Sequence, residues 1–195
     1  YDDGELSFIF GSSSQDSYSD TEIPYARKLP MDENWQVVLD DIHVAPSLVN
    51  FGVGLELGSL ELDCELSFQN YGTGRQFAVS IDQQLASGDS EYASAYVSAN
   101  EDARISSGGN IRIVHLASSR DLIFEYQPDV ASSWSELANF NLTTGAFQAQ
   151  YNSSGGNFTG SPLSATDGGM KIEIEARAGV ATQITDLEIG GIEIG

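Results

Sequence analysis

Helical periodicity, cysteine, basic side chains and long apolar runs are all scarce in these 195 residues. Each shortage excludes something. No apolar run approaches the roughly 18 residues that a membrane helix requires, so membrane insertion is not expected. A single cysteine, Cys64, rules out an internal disulfide and is expected to be a buried small apolar residue. With Lys28 and Lys171 as its lysines, and 8 bases in all against 29 acids, the chain has no basic stripe to neutralise phosphates. Nucleic acid and anionic lipid are therefore not expected partners. The two histidines, His43 and His115, stand on separate segments without a serine or cysteine partner, so neither a hydrolytic triad nor a zinc site is indicated. The best helix candidate, 132–137, is too short to be more than a turn.

What is present is alternation. Apolar and polar residues take turns along short stretches, and Gly, Ser, Asn and Asp separate the stretches. A period of two sends one face of each stretch to a core and the other to solvent. Candidate strands are 5–10, 35–44, 51–57, 60–70, 75–85, 92–99, 110–117, 122–126, 135–142, 146–151, 170–178 and 182–194. That is about twelve strands with almost no helix, the pattern of an all-β, antiparallel two-sheet sandwich. In 75–85, Phe77, Val79, Ile81 and Gln83 share one face. In 110–117 both faces look covered, which predicts a central strand. Ser-rich 11–20 and Gly-rich 152–169 read as long surface loops.

One domain over 1–195 is the natural reading, because sandwiches of this length fold undivided. The hydrophobic fraction of 41% is ordinary for a globular protein, so disorder does not explain the net charge of -21. Such a surface suits bound cations or a saline medium that screens self-repulsion. The chain starts at Tyr1 without a leader; it is expected to follow a removed signal peptide, or to be an excised domain, and to work outside the cell or at its surface.

Six stretches carry a resemblance: 33–39 (ENWQVVL), 52–57 (GVGLEL), 110–116 (NIRIVHL), 121–126 (DLIFEY), 134–140 (WSELANF) and 184–190 (ITDLEIG). In order and spacing the chain from Asn34 to Ile194 resembles the concanavalin A-like lectin/glucanase superfamily, including its laminin G-like members. The resemblance implies a jelly roll in which the last strand closes beside the first. It also implies a choice of roles, since that superfamily holds lectins, carbohydrate-binding modules, glycoside hydrolases and secreted surface domains.

Three groups of residues could carry chemistry. Glu61, Asp63 and Glu65 alternate on one strand face. The laminarinase- and agarase-type hydrolases of the superfamily carry Glu-x-Asp-x-Glu. That likeness would make Glu61 the nucleophile, Asp63 the modulating acid and Glu65 the acid/base of a retaining reaction. The family's tryptophan and proline-glycine run before that motif is replaced here by Gly58-Ser59-Leu60, and acids alternate elsewhere too. A solvated strand face is therefore preferred to catalysis. Calcium takes six to eight oxygens; Asp2, Asp3 and Asp186 stand where modules of the superfamily hold a structural calcium between first and last strands. Sugars stack on flat aromatic faces rimmed by polar groups, which singles out Tyr71, Tyr92, Trp134 and Tyr151. Three glycosylation sequons, at Asn141, Asn152 and Asn157, cluster near the second long loop.

The expected function is a secreted, non-catalytic module that binds a polysaccharide or cell-surface glycan. The alternative is a subunit of a filament, sheath or surface layer that associates with copies of itself. There the apolar ends 5–10 and 182–194 would add to a neighbour's sheet edge. A retaining glycoside hydrolase is the third reading.

Overall fold

The computed structural model describes residues 6–10, 17–22, 28–44, 49–57, 62–70, 74–84, 90–105, 108–129, 132–154, 169–178, 185–189 and 191–194. Strands account for most of them and no helix occurs among them, so none is long and apolar enough to cross a membrane. In chain order the strands are β1 (Leu6–Phe10), β2 (Ser17–Glu22), β3 (Trp35–Val44), β4 (Val49–Leu57), β5 (Leu62–Asn70), β6 (Arg75–Gln84) and β7 (Ser90–Ser98). They continue as β8 (Gly108–Leu116), β9 (Asp121–Gln127), β10 (Ser135–Asn141), β11 (Phe147–Ala149), β12 (Asn152–Ser154), β13 (Met170–Ala178), β14 (Thr185–Ile189) and β15 (Gly191–Ile194).

Two antiparallel sheets result. One runs β1-β14-β3-β8-β9-β10-β11, with β15 also on β3; the other runs β12-β7-β6-β5-β4-β13-β2. Alternation decides what lies between them. On β5, Leu62, Cys64, Leu66 and Phe68 are fully buried; on β6, Phe77, Val79, Ile81 and Gln83 are 0–1% exposed. From the other sheet Ile111, Ile113 and His115 of β8 and Leu122, Phe124 and Tyr126 of β9 meet them. Phe77 joins the two leaves, 5.0 Å from the ring of Phe68 on its own sheet and 5.0 Å from that of Tyr126 on the opposite one. Strand β8 lies between β3 and β9, the central position its two covered faces predict. Cys64 is a free thiol on the inner face, and burial raises its pKa.

Three sequence expectations change. Polar Ser17–Glu22, whose first four residues were placed in the loop 11–20, is the edge strand β2, paired with β13 alone among the described residues. An edge strand is held by its backbone and needs no apolar alternation. Asn152–Ser154, placed in the loop 152–169, is β12, the opposite edge of the same sheet; 11–16 and 155–168 lie outside the described residues. The single strand expected over 182–194 is two. Strand β3 has a bulge between Leu39 and Ile42, where Asp41 takes φ 54° and donates its N–H to Asn110 Oδ1 at 2.7 Å. A bulge bends its strand, so β15 follows β3 before the bend (Val37 to Asp40) and β14 after it (His43 and Val44).

The chain's ends close on each other as the resemblance implies: Leu6 to Phe10 of β1 pair with Ile189 to Thr185 of β14. Both terminal segments are thus taken up in their own sheet.

Candidate functional site

Because β5 buries its even-numbered residues, Asp63, Glu65, Ser67 and Gln69 point away from the core onto the outer face of the seven-stranded sheet. Register then sets their neighbours. Glu56, Asp63, Asp82 and Tyr92 stand side by side on β4, β5, β6 and β7. The next outward row is Gly54, Glu65, Ser80 and Ser94, and the one after it Gly52, Ser67, Ala78 and Tyr96. Gln69 and Gln76 follow, joined by a 2.7 Å bond from Gln76 Nε2 to Gln69 Oε1; Gln69 Nε2 in turn donates to Ser67 Oγ at 3.2 Å. The face thus has a floor of small side chains between a row of carboxylates and a row of amides. Four strand steps separate Tyr92 from Tyr96, about 13 Å along β7, and the two are 55% and 40% exposed.

The floor is small for a steric reason at one point. A Cβ on Gly52 would come within 2.7 Å of the Leu66 carbonyl and 2.8 Å of Ser67 Cβ, so no larger residue fits without moving the β4–β5 pair.

The acid row has an electrostatic consequence. Asp63 is exposed, yet partial withdrawal from water raises its carboxyl pKa, and Asp82 and Glu56 add to the rise. Lys171 relieves the row at its far end, 3.2 Å from Glu56 Oε2. A carboxyl whose folded pKa lies above its unfolded value weighs against the fold wherever it is ionised, and that penalty disappears as pH falls through the raised value. Asp63→Asn should therefore raise the melting temperature at neutral pH by about 1–3 °C, and the gain should shrink on acidification. A gain that grows toward pH 4 in a series of thermal melts would contradict this origin.

Of the residues singled out in the sequence, Asp63, Glu65 and Tyr92 share the outer face of the seven-stranded sheet. Glu65 is half-buried there; Glu61, the expected nucleophile, lies outside the described residues, as does Tyr71. Trp134 lies on the opposite outer face of the sandwich, half-buried, with the Arg112 guanidinium 4.3 Å from its ring centre. Arg112 is held there by a 2.5 Å ion pair to Glu125. The cation covers one face of that indole, which leaves the other face for any stacking on a sugar. Tyr151 is 36% exposed and sits at the rim, its hydroxyl 3.1 Å from that of buried Tyr126. Tyr126 also reaches Asp102 Oδ2 at 3.2 Å, and Arg104 grips Asp102 with Nε and Nη2 at 2.8 and 2.6 Å. Burial, and then the bond with Tyr151, raises the Tyr126 phenol, whereas Arg104 lowers Asp102.

Asp2, Asp3 and Asn157 lie outside the described residues, and Asp186 is described only as a strand position opposite Ile9. Among the described residues no three His, Cys, Asp or Glu side chains converge as metal ligands. The calcium expectation thus rests on the sequence alone. Asn141 serves its own turn: Nδ2 donates to the Ser119 carbonyl at 3.0 Å and to Asp121 Oδ1 at 2.6 Å, while Oδ1 accepts from Thr143 and Thr144. Both amide hydrogens are spent within the fold. Asn152 is exposed on β12 and bonds to Glu101, which helps lower that carboxyl after the larger effect of Ser98.

Tyr96 is the residue that sequence reasoning missed. Its signal was there: Tyr92, Ser94 and Tyr96 alternate with Ala93, Ala95 and Val97, so an inward alanine face requires an outward tyrosine pair.

No protein-family model matches the chain, and no curated protein sequence is similar to it. Solved structures do resemble it. A legume lectin-like domain from Entamoeba histolytica superposes with a TM-score of 0.53 at 11% identity, over 98% of this chain and 89% of that one. An alginate lyase in complex with dimannuronate gives 0.48 at 8% identity, over 98% and 74%. A mixed-linkage glucan GH16 from Bacteroides ovatus, in complex with a product, gives 0.46 at 7% identity, over 97% and 99%. The fold is the concanavalin A-like jelly roll.

Proposed function

We propose that this protein is a non-catalytic carbohydrate-binding module of the extracellular space, and that it holds a glycan on the outer face of its seven-stranded sheet. The observation that carries the reading is the pair of exposed tyrosines, Tyr92 and Tyr96, on one strand of a face whose rows across β4 to β7 otherwise hold small, acidic and amide side chains. Flat apolar sugar faces stack on such rings, and sugar hydroxyls bond to the polar groups beside them. Asp82 is the register neighbour of Tyr92, and Asn152 that of Tyr96, so each ring has a polar partner at its side. The lectin-like domain that shares the fold supports a glycan partner by analogy. Leu6–Phe10 pair with β14 and Gly191–Ile194 with β3 of the same chain, which favours the glycan reading over assembly by donation of those strands.

The test is retention on immobilised polysaccharides, followed by titration calorimetry with the best oligosaccharide. Tyr92→Ala and Tyr96→Ala should each weaken binding about 3- to 10-fold, in line with about 0.5–1.5 kcal/mol per aromatic contact. The double variant should lose about 10- to 100-fold, with its melting temperature nearly unchanged because both rings are exposed. Retention of no polysaccharide by the native protein, or affinity unchanged in the double variant, would sink the proposal.

A further inference from the structure

The polar groups beside the two exposed tyrosines are not alike. Asp82 stands opposite Tyr92, Asp63 opposite Asp82 and Glu56 opposite Asp63. Directly opposed residues share a face, and strands are spaced about 4.8 Å apart, so these positions lie about 5, 10 and 15 Å across the sheet from Tyr92. Tyr96 has other neighbours: Ala78 and then Ser67 on one side, Asn152 on the other, with Gln69 and Gln76 in the row beyond. Across β4 to β7 the face is thus graded. Carboxylates stand level with Tyr92 and uncharged groups level with Tyr96.

Nothing on these four strands neutralises the acid end. Strands β4, β5 and β7 contain no lysine or arginine. Strand β6 has Arg75 at its first position, in the inward series with Phe77. Lys171 of β13 reaches Glu56, at the end of the row farthest from Tyr92. Asp63 and Asp82 are exposed and have no basic partner among the described residues. Asp63 feels this, since Asp82 and Glu56 add to the larger effect of burial in raising its pKa.

An ionised carboxylate accepts hydrogen bonds and donates none. Beside a ring stacked on Tyr92, Asp82 and Asp63 therefore suit sugar hydroxyls, which donate. A sugar carboxylate or sulfate brings a like charge to the same place and is repelled. In a polyuronate every unit is charged, so a chain lying on Tyr92 cannot avoid this row. Repulsion of the wrong partner is as good a source of specificity as attraction of the right one.

We propose that Asp63 and Asp82 set the specificity of the tyrosine face: it takes a neutral, hydroxyl-rich glycan and rejects glycans whose sugars carry carboxylate or sulfate. This rests on Tyr92 and Tyr96 being the glycan contacts, and adds the class of glycan they hold.

The test uses three immobilised neutral polymers, a β-glucan, a galactan and a mannan, beside the same three with their primary hydroxyls oxidised to carboxylates. At about 0.01 M salt, where the screening length is about 30 Å, the native protein should bind at least one neutral polymer and bind its oxidised form at least about 10-fold more weakly. At about 1 M salt, where that length is about 3 Å, the difference should fall to about 2-fold or less. Asp63→Asn combined with Asp82→Asn should narrow the low-salt difference to about 3-fold. Asp32→Asn combined with Glu33→Gln removes the same charge from the exposed turn before β3, outside the seven-stranded sheet, and should leave the difference in place. Oxidised polymers bound as tightly as neutral ones, or equal narrowing by both pairs of substitutions, would overturn this proposal and leave the glycan reading standing. Binding to no polymer of either kind would instead remove the glycan reading, and this proposal with it.

Discussion

Phe77→Ala should cost the fold about 3–5 kcal/mol, seen as a lower urea midpoint with little change in slope. The size follows from where the ring sits. Phe77 is fully buried, and it touches both leaves: Phe68 of its own sheet edge-on, and Tyr126 of the opposite sheet face-on at 27°. Truncation removes the transfer energy of the ring and leaves a cavity that two flat sheets cannot collapse to fill, since each is held by its ladders. Native domains are stable by only about 5–15 kcal/mol, so this one change takes a large share. Phe77→Leu keeps much of the volume and should lose less than half as much. There is also a consequence at the rim. Tyr126 rests on Phe77 and bonds outward to Asp102 and Tyr151, so hydrogen exchange in 98–105 should quicken in Phe77→Ala beyond what global unfolding explains. A loss below about 1 kcal/mol would mean that the two sheets do not meet at this ring.

Wherever burial of one face required it, the fold was legible in the sequence. Phe77, Val79, Ile81 and Gln83 were assigned to one side of β6 by alternation alone, and all four are buried; Ala78 of the other face is buried as well. Strand β8 was read as central from its two covered faces, and it is. Legibility stopped where pairing is a matter of backbone. Strands β2 and β12 are polar edges of the seven-stranded sheet, and nothing in SYSDTE or NSS distinguishes an edge strand from a loop. The break between β14 and β15 was hidden for a different reason: it is dictated by the bulge at Asp41 of β3, a partner about 150 residues earlier in the chain.

The candidate sites were less legible, because a side chain's role depends on what crosses from neighbouring strands. The sequence offers Trp134 as a sugar platform but does not show that Arg112 of β8 covers one of its faces. The sequence marks Asn141 as a sequon but does not show that its amide also closes a turn. Asp63 was found by spacing, but what raises its pKa is partial burial and then Asp82 and Glu56 on the adjoining strands, none of which spacing along β5 reveals.

Gly109→Ala, which exchanges a single hydrogen for a methyl, should cost about 2–4 kcal/mol. Gly109 sits at the start of β8 opposite Ile42, just past the β3 bulge, with φ +156°, a conformation that residues with a Cβ rarely adopt. The added carbon would lie 2.6 Å from the Gln127 carbonyl and 2.9 Å from Cζ of Phe77. The first contact is with backbone and cannot yield without spreading β8 from β9; the second is with a ring that could turn if space existed. The two contributions can be separated by a double-mutant cycle. In Phe77→Ala the ring is gone, so Gly109→Ala on that background should cost at least about 0.5–1 kcal/mol less than it does alone, a coupling typical of residues in contact. The part that persists belongs to the backbone conformation and the Gln127 carbonyl. Strict additivity, measured by urea unfolding of all four proteins, would show that the glycine is required by its strand alone and not by the opposite sheet.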